Sequence, residues 1–443
     1  MSVEAFCPDR FRLDSSDPNF SSMLEERLLR TMIHDPDVVA SVTSIISEVR
    51  RDGDIALLKY TKQFDNFSAS TVDKLRVSSC QMQQCLDDLN STQRTALEEA
   101  ASRIRKYHER QKQISWQFAE DDGSFYGQKV TPLDRVGIYA PGGKANYPSS
   151  ILMLGIPAGV AGVKEIVATV PTAFEPEGRL VFAAAALAGV TELYTVGGAQ
   201  AIASMAYGTQ TIQKVDKIAG PGNVYVTVAK KLVFGEVGID MVAGPSELTI
   251  ICDGNTNPDW IAMDMFSQAE HDENAQSILI SPDGDFLDQV AESINKLLPK
   301  MKRKNVITTS LARKGILIKV PDLETAAIVS NDISPEHLEL SVDNPQALLD
   351  KILHAGAVFL GRYTPEALGD YCAGPSHVLP TSGTAKFFSA LGVYDFQKRT
   401  SILSCSKKGA LELAPIAMTL ADSEGLEAHS LSAAYRRDSD WVK

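Results

Sequence analysis

The chain has 443 residues, 44% hydrophobic and 22% charged, the usage of an ordinary folded protein, which excludes a disordered chain, a fibrous repeat and a small disulfide-stapled scaffold. Lys and Arg number 43 against 56 Asp and Glu, a formal net charge of −13; an acidic surface repels phosphate backbones, so nucleic acid is not an expected partner. The longest apolar stretch, Ile151 to Val163, falls short of the roughly 18 residues of a membrane span and contains Pro157, so no membrane segment is expected.

The N-terminus, MSVEAFCPDRFRLDSSDPNF, has neither an apolar h-region nor the Arg-rich, acid-poor bias of a transit peptide, which makes a cytoplasmic location the default expectation. Up to about Gln113 the chain is polar with apolar residues recurring at three and four, as in VTSIISEVRRDGDIALLKYTKQF and STQRTALEEAASRIRKYHERQKQ, the pattern of amphipathic helices. From Arg135 short β-branched runs take over: RVGIYA, EIVATV, ELYTVG, ELTIIC, SILIS, GILIKV, HLELSV and AVFLG. Between them lie helix candidates such as RLVFAAAALAG, AIASMAYGT, PDWIAMDMFSQAEH and DQVAESINKLLPKM. Such βα alternation predicts parallel sheets with helices on their faces. The run is too long for one small sheet, and AGPSEL (Ala243 to Leu248) is the expected seam between two. After about Thr400 the sequence turns helical again, a C-terminal appendage.

Several residues in this framework can carry chemistry. No GxGxxG is present, so the dinucleotide fingerprint gives no support for NAD. Three Gly-bearing strand-to-helix junctions do occur: YAPGGKANYPSS, VGGAQAIA and AGPGNVYV. They place Tyr139, Gln200 and Asn223 at the carboxyl ends of strands, where ligands sit in open α/β sheets; tight βα turns are the bland alternative. Six scattered Cys without a CxxC leave any metal to other ligands. In SQAEHD, Gln268 and His271 stand three apart, on one face of a helix, and Asp370 and His429 are candidate partners for zinc or a similar ion. In ISPEHLEL, Ser334 reads as an N-cap, Pro335 as N1, and Glu336 and His337 as the first helical turn. An anionic Glu beside a neutral His suits general-base chemistry, one group for a hydroxyl and one for water. Cys372 is a weaker candidate, a thiol for a thiohemiacetal route.

Taken in order, RVGIYAPGGKANYPSSILM, VGGAQAIA, VDKIAGPGNVYV, DMVAGPSEL, SQAEHD, ISPEHLEL, GDYCAGPSHVLPT and DFQKRTS resemble the histidinol dehydrogenase family over nearly the whole chain. The resemblance implies an α/β fold of two Rossmann-like, incomplete doubly wound parallel-sheet domains with a helical N-terminal section and a helical C-terminal tail. The expected boundaries are 1–30 for an N-terminal helical extension, 31–136 plus 245–390 for the α/β domain with metal and catalytic pair, 137–244 for the NAD side, and 391–443 for a tail domain swapped in a dimer. It further implies a zinc-dependent homodimer that oxidises L-histidinol through L-histidinal to L-histidine with two NAD.

By position, the resemblance makes Gln268, His271 and Asp370 zinc ligands from one subunit and His429 the ligand from the partner's swapped tail. Glu336 and His337 become the catalytic pair, His337 taking the alcohol proton and Glu336 activating water. Tyr139, Gln200 and Asn223 become NAD contacts, and Ser246, His377 and Glu424 hold histidinol together with His337 and the zinc ligands. Lys144 departs from the family pattern, where a small hydroxyl residue is expected, and bears on cofactor affinity. A zinc hydrolase using Glu336 on water is a competing reading, separated by its lack of need for NAD.

Overall fold

The computed structural model describes residues 11–28, 35–142, 147–172 and 178–437; Lys144 lies outside them. The chain divides into two compact units, 1–111 with 134–396, and 112–133 with 397–443. The first elements are strand β1 (Arg12–Asp14), helices α1 (Phe20–Leu28), α2 (Pro36–Asp52) and α3 (Asp54–Phe64), strand β2 (Arg76–Val77), and helices α4 (Ser79–Asp87) and α5 (Ser91–Glu109). A hairpin of β3 (Trp116–Ala119) and β4 (Phe125–Pro132) follows. Alternation then runs β5 (Arg135–Tyr139), α6 (Pro148–Ala161), β6 (Glu165–Thr169), α7 (Arg179–Ala188), β7 (Glu192–Tyr194), α8 (Gly198–Tyr207), β8 (Lys217–Ala219), α9 (Val224–Val233) and β9 (Gly238–Ile239). A second run holds β10 (Glu247–Cys252), α10 (Pro258–Ala269), β11 (Gln276–Ser281), α11 (Gly284–Leu297), α12 (Lys304–Lys314), β12 (Ile316–Lys319), α13 (Leu323–Ile333) and β13 (His337–Ser341). It ends with α14 (Pro345–Leu349), β14 (Ala357–Leu360) and α15 (Glu366–Tyr371); β15 (Gln397–Ser404), α16 (Lys407–Ser423) and α17 (Glu427–Arg437) complete the chain.

Two six-stranded sheets result, in the orders β1-β12-β11-β10-β13-β14 and β2-β7-β6-β5-β8-β9. The first is parallel throughout; in the second only the β2–β7 pair is antiparallel. Parallel strands covered on both faces must be apolar along their length rather than alternating. Strands β11 and β13 are buried at every residue, as this requires. The expected parallel-sheet fold is therefore present, and the chain crosses from one sheet to the other between β9 and β10, through AGPSEL. The apolar stretch from Ile151 belongs to α6, whose residues from Ser149 to Ala158 are all buried. It is a core helix, and among the described residues no helix is long and apolar enough to cross a membrane.

Three expectations are corrected. Residues 31–136, expected with the sheet of 245–390, do not join it: α2 packs on α8 and α9, and α4 on α7. One apolar cluster joins Val42, Ile45 and Leu57 to Tyr139, Val167, Tyr194 and Ile202. The apolar stripe of α2 has to be covered, and the helices of the β5 sheet supply the surface. The 1–30 extension is not purely helical: β1 pairs with β12, and Leu13 enters the core of the other sheet. The second unit also departs from an all-helical tail, since β15 pairs antiparallel with β4 from Gln397↔Pro132 to Ser404↔Phe125, and β3 joins β4. Helices α16 and α17 pack on each other within that unit.

Candidate active site

Strand β13 is the element that positions the central imidazole. Helix α13 ends at Ser334, a left-handed C-cap with φ 53°, whose N–H donates to the Ser330 carbonyl at 2.8 Å. The predicted helix start at Ser334, with Glu336 and His337 in its first turn, is thus overturned. Ser334 closes the preceding helix, Pro335 biases it away from helical backbone, and the buried run His337–Ser341 pairs between β10 and β14. No helix dipole acts on Glu336 from its own segment; burial governs it instead.

His337 is the first residue of β13, in register with Leu248 on one side and Ala357 on the other. Its Nδ1 lies 3.1 Å from the Glu247 carbonyl oxygen, 3.5 Å from Glu366 Oε1 and 3.6 Å from Glu336 Oε2. Its Nε2 lies 3.5 Å from Asp370 Oδ1. Glu336 Oε2 accepts from the Glu247 N–H at 2.8 Å, while the Glu366 N–H donates to Glu339 Oε1 at 2.7 Å and so anchors the start of α15 on β13. His377, from the loop after α15, sets its Nδ1 2.9 Å from the Asp370 carbonyl and its Nε2 3.3 Å from Ser150 Oγ on α6.

Burial and mutual charge set the protonation of this cluster. Burial pushes Glu336 up to about 8, against the pull of His337; it pushes Glu366 up to about 8 as well. Burial opposes charge on His337, yet the carboxylates of Glu366, Glu336 and Asp370 together hold its imidazole well above the ordinary range. Burial would raise Asp370, and the hydrogen bond and charge of His337 overcome it and hold it low. His271 and His377 are both lowered, chiefly by burial.

Gln268, in the last turn of α10, is fully buried, and neither its amide oxygen nor its nitrogen has a partner among the described residues. Leaving such groups unpaired costs about 1–3 kcal/mol each, and a cation or hydrogen-bond donor at the amide oxygen removes part of that cost. His271 lies just beyond the C-cap Glu270, its N–H donating to the Gln268 carbonyl at 3.2 Å, so it is not on the helix itself. Ligand atoms of His337, Glu366 and Asp370 all come within 4.8 Å of one another. Asp370 is thus shared between the expected zinc set and this tight group, and the donor chemistry, imidazole, carboxylate and amide oxygen, fits a borderline divalent ion. Glu366 was not singled out from sequence. Its signal is the EALGD spacing, which puts Glu366 and Asp370 four apart on one helix face. Ser246 precedes β10, its carbonyl accepting from the Gln276 N–H at 3.0 Å. Cys372 is half-buried, just after α15.

The dinucleotide candidates gather in the other sheet. Tyr139 ends β5, buried, its hydroxyl accepting from the Gly198 N–H at 3.2 Å. Gln200 is fully buried in the first turn of α8; its amide donates to Asp65 at 3.2 Å, and its Oε1 has no partner among the described residues. Asn223 caps α9, accepting from the Val226 N–H at 3.1 Å. The residues lie at strand carboxyl ends, as predicted, with an unpaired amide oxygen and two helix N-termini available to a ligand. Glu424 and His429 belong to the second unit, at the end of α16 and on α17, both exposed.

Residues 28–437 match the profile of the Histidinol dehydrogenase family. The histidinol dehydrogenase of Pseudomonas putida is 58% identical over 425 residues, 96% of this chain and 96% of that protein. That of Cupriavidus pinatubonensis is 56% identical over 429 residues, again 96% of each. The chain belongs to the histidinol dehydrogenase family. The crystal structure of histidinol dehydrogenase from Elizabethkingia anophelis matches with a TM-score of 0.90 at 34% identity, over 97% of this chain and 98% of that one. Like other histidinol dehydrogenases, the chain is an oxidoreductase.

Proposed function

We propose that this chain oxidises L-histidinol through bound L-histidinal to L-histidine in two NAD-linked steps, with one zinc ion per subunit and active sites shared across a homodimer. The observation that carries the reading is the group of buried Glu336 and His337 with half-buried Asp370, together with a buried Gln268 whose amide has no partner among the described residues. Gln268, His271, Asp370 and the partner subunit's His429 would hold zinc, and Tyr139, Gln200 and Asn223 would hold NAD. Bound zinc would supply a fixed cationic centre for the amine and imidazole nitrogens of the substrate, and NAD would accept a hydride in each oxidation.

The chain's own groups manage protons and water. Once neutral, a state that its raised titration shifts to more alkaline pH than an ordinary imidazole needs, His337 takes the hydroxyl proton during the first oxidation, and its Nδ1 side, facing the Glu247 carbonyl and Glu366, fixes the ring and balances the charge it gains. Glu336, held by the Glu247 N–H and ionised above about 8, deprotonates the water that adds to the aldehyde. Ser246, His377 and Glu424 orient histidinol so that the carbinol carbon meets the hydride acceptor. In the second unit Trp116, Phe118, Leu403, Ile416 and Leu420 are exposed, more apolar surface than a solitary chain tolerates well, which supports a second copy covering it. Free Cys80, Cys85, Cys252, Cys372 and Cys405 accord with action in the cytoplasm.

The test is NADH formation from L-histidinol by zinc-loaded protein, with histidine quantified in the same tube and a chelator-stripped control. Two NADH per histidine, lost on stripping, supports the proposal. NADH from other alcohols but not histidinol overturns the substrate, and no NADH from any alcohol overturns the reaction class in favour of a zinc hydrolase.

A further inference from the structure

The β5 sheet buries an ion pair that the proposed chemistry does not use. The Lys230 side chain on α9 is 2% exposed and that of Asp240, after β9, is 1% exposed, and the two are paired. Both also bind the backbone of one residue, through its two flanking peptide groups. The Lys230 ammonium donates to the Gly220 carbonyl at 2.8 Å, and the Gly220 N–H donates to Asp240 Oδ2 at 2.7 Å. Gly220 opens the turn from β8 into α9, with φ +125°, and a Cβ there would stand 2.1 Å from the Tyr139 carbonyl oxygen.

Burying two charges is a poor way to gain stability, because desolvation offsets the attraction, and apolar residues of similar volume often do as well. What the pair supplies here is position. It holds both peptides flanking Gly220, at the turn where two strand carboxyl ends and the N-terminus of α9 converge, the place where an open α/β sheet receives a phosphate-bearing ligand. The Asn223 side chain is fixed to the same helix start by its bond from the Val226 N–H, so a shift of Gly220 moves the whole segment Gly220–Asn223 against Tyr139.

We infer that Lys230 and Asp240 are positioning residues for dinucleotide binding: they clamp the Gly220 backbone through both of its flanking peptides and thereby hold the 220–223 turn in the shape that receives the NAD pyrophosphate. This rests on the NAD dependence proposed above. The diagnostic variant is Lys230→Met with Asp240→Asn, which removes both charges at nearly constant volume and leaves neither buried alone. Zinc-loaded variant and parent are compared by NAD titration calorimetry, steady-state kinetics, metal analysis and hydrogen exchange. The expected result is a rise of at least tenfold in the Kd and KM for NAD, with the KM for histidinol and the zinc content within twofold, and faster exchange at Gly220 than in β10. If the double variant fails to fold, Lys230→Arg, which keeps the charge and a donor, and Lys230→Met alone are compared, and the Arg variant must bind NAD the more tightly. A variant that loses thermal stability but keeps its NAD affinity within twofold makes the pair purely structural and overturns the inference alone. A parent protein that binds no NAD overturns the function proposal and this inference with it.

Discussion

Replacing Glu336 by Gln separates the two things this carboxyl does. In the folded chain it stands at about 8, against an ordinary 4.5, because it is buried. At about 1.4 kcal/mol for each pH unit, the gap amounts to roughly 5 kcal/mol. The folded state binds the proton more tightly than the unfolded one, so the full stability is present below about 4.5, is lost as pH rises, and stops falling above about 8. Gln does not titrate, and its amide oxygen can still accept the Glu247 N–H now bonded at 2.8 Å. Part of the gain is offset, since His337 loses one of the three carboxylates that favour its charge. Urea denaturation of metal-free protein should therefore show the variant gaining about 2–3 kcal/mol on the parent between pH 5 and pH 8. Equal slopes against pH in the two proteins would refute the electrostatic reading. Kinetically, only the aldehyde step consumes water: with zinc and NAD supplied, histidinal oxidation should fall by about 10²-fold or more and histidinol oxidation by a few-fold. Equal loss in both steps would remove the division of labour between Glu336 and His337.

Further outcomes follow from the same geometry. Gln268→Leu removes an amide with no partner among the described residues, so metal-free protein should be stabilised by about 1–3 kcal/mol in denaturant while zinc retention after dialysis drops; unchanged zinc content would exclude Gln268 as a ligand. Cys372→Ala should keep turnover within about threefold, because no step assigned here forms a bond to sulfur; complete loss would restore the thiohemiacetal route. His429→Asn and Gln268→Ala should each lose activity alone, and mixing the two through unfolding and refolding should restore a part of it, up to roughly one quarter of the sites for random pairing. No recovery would count against a site shared between subunits.

How much of this was legible depends on what each segment has to bury. The eight β-branched runs from RVGIYA to AVFLG stand out because parallel strands are covered on both faces and must be apolar throughout. The hairpin β3–β4 and strand β15 did not stand out, since every residue of Trp116–Ala119 is exposed and no core imposes an alternation on them. At Ser334 the local signals were ambiguous: a Ser-Pro-Glu start is good helix-entry chemistry, and only the pairing of His337 with Leu248 and Ala357 makes it a strand entry. Glu366 carries a readable spacing to Asp370, but carboxylates four apart on a helix are ordinary until both are found beside one imidazole.

The deepest omission concerns which end of each sheet is used. Reasoning from open α/β sheets places ligands at strand carboxyl ends, and Tyr139 at the end of β5 obeys it. His337 and Glu247 are the first residues of β13 and β10, so the proton-handling groups occupy the amino end of their sheet. Ser150 resolves the apparent conflict. It belongs to α6, the helix that leaves the carboxyl end of β5, and its hydroxyl lies 3.3 Å from His377, whose other ring nitrogen is 2.9 Å from the Asp370 carbonyl. The carboxyl end of one sheet therefore abuts the amino end of the other, and a hydride acceptor held by the first would face an alcohol held by the second. Strand periodicity cannot encode that opposition, because it is set by how two separately legible sheets lie against each other, through contacts between residues more than two hundred positions apart.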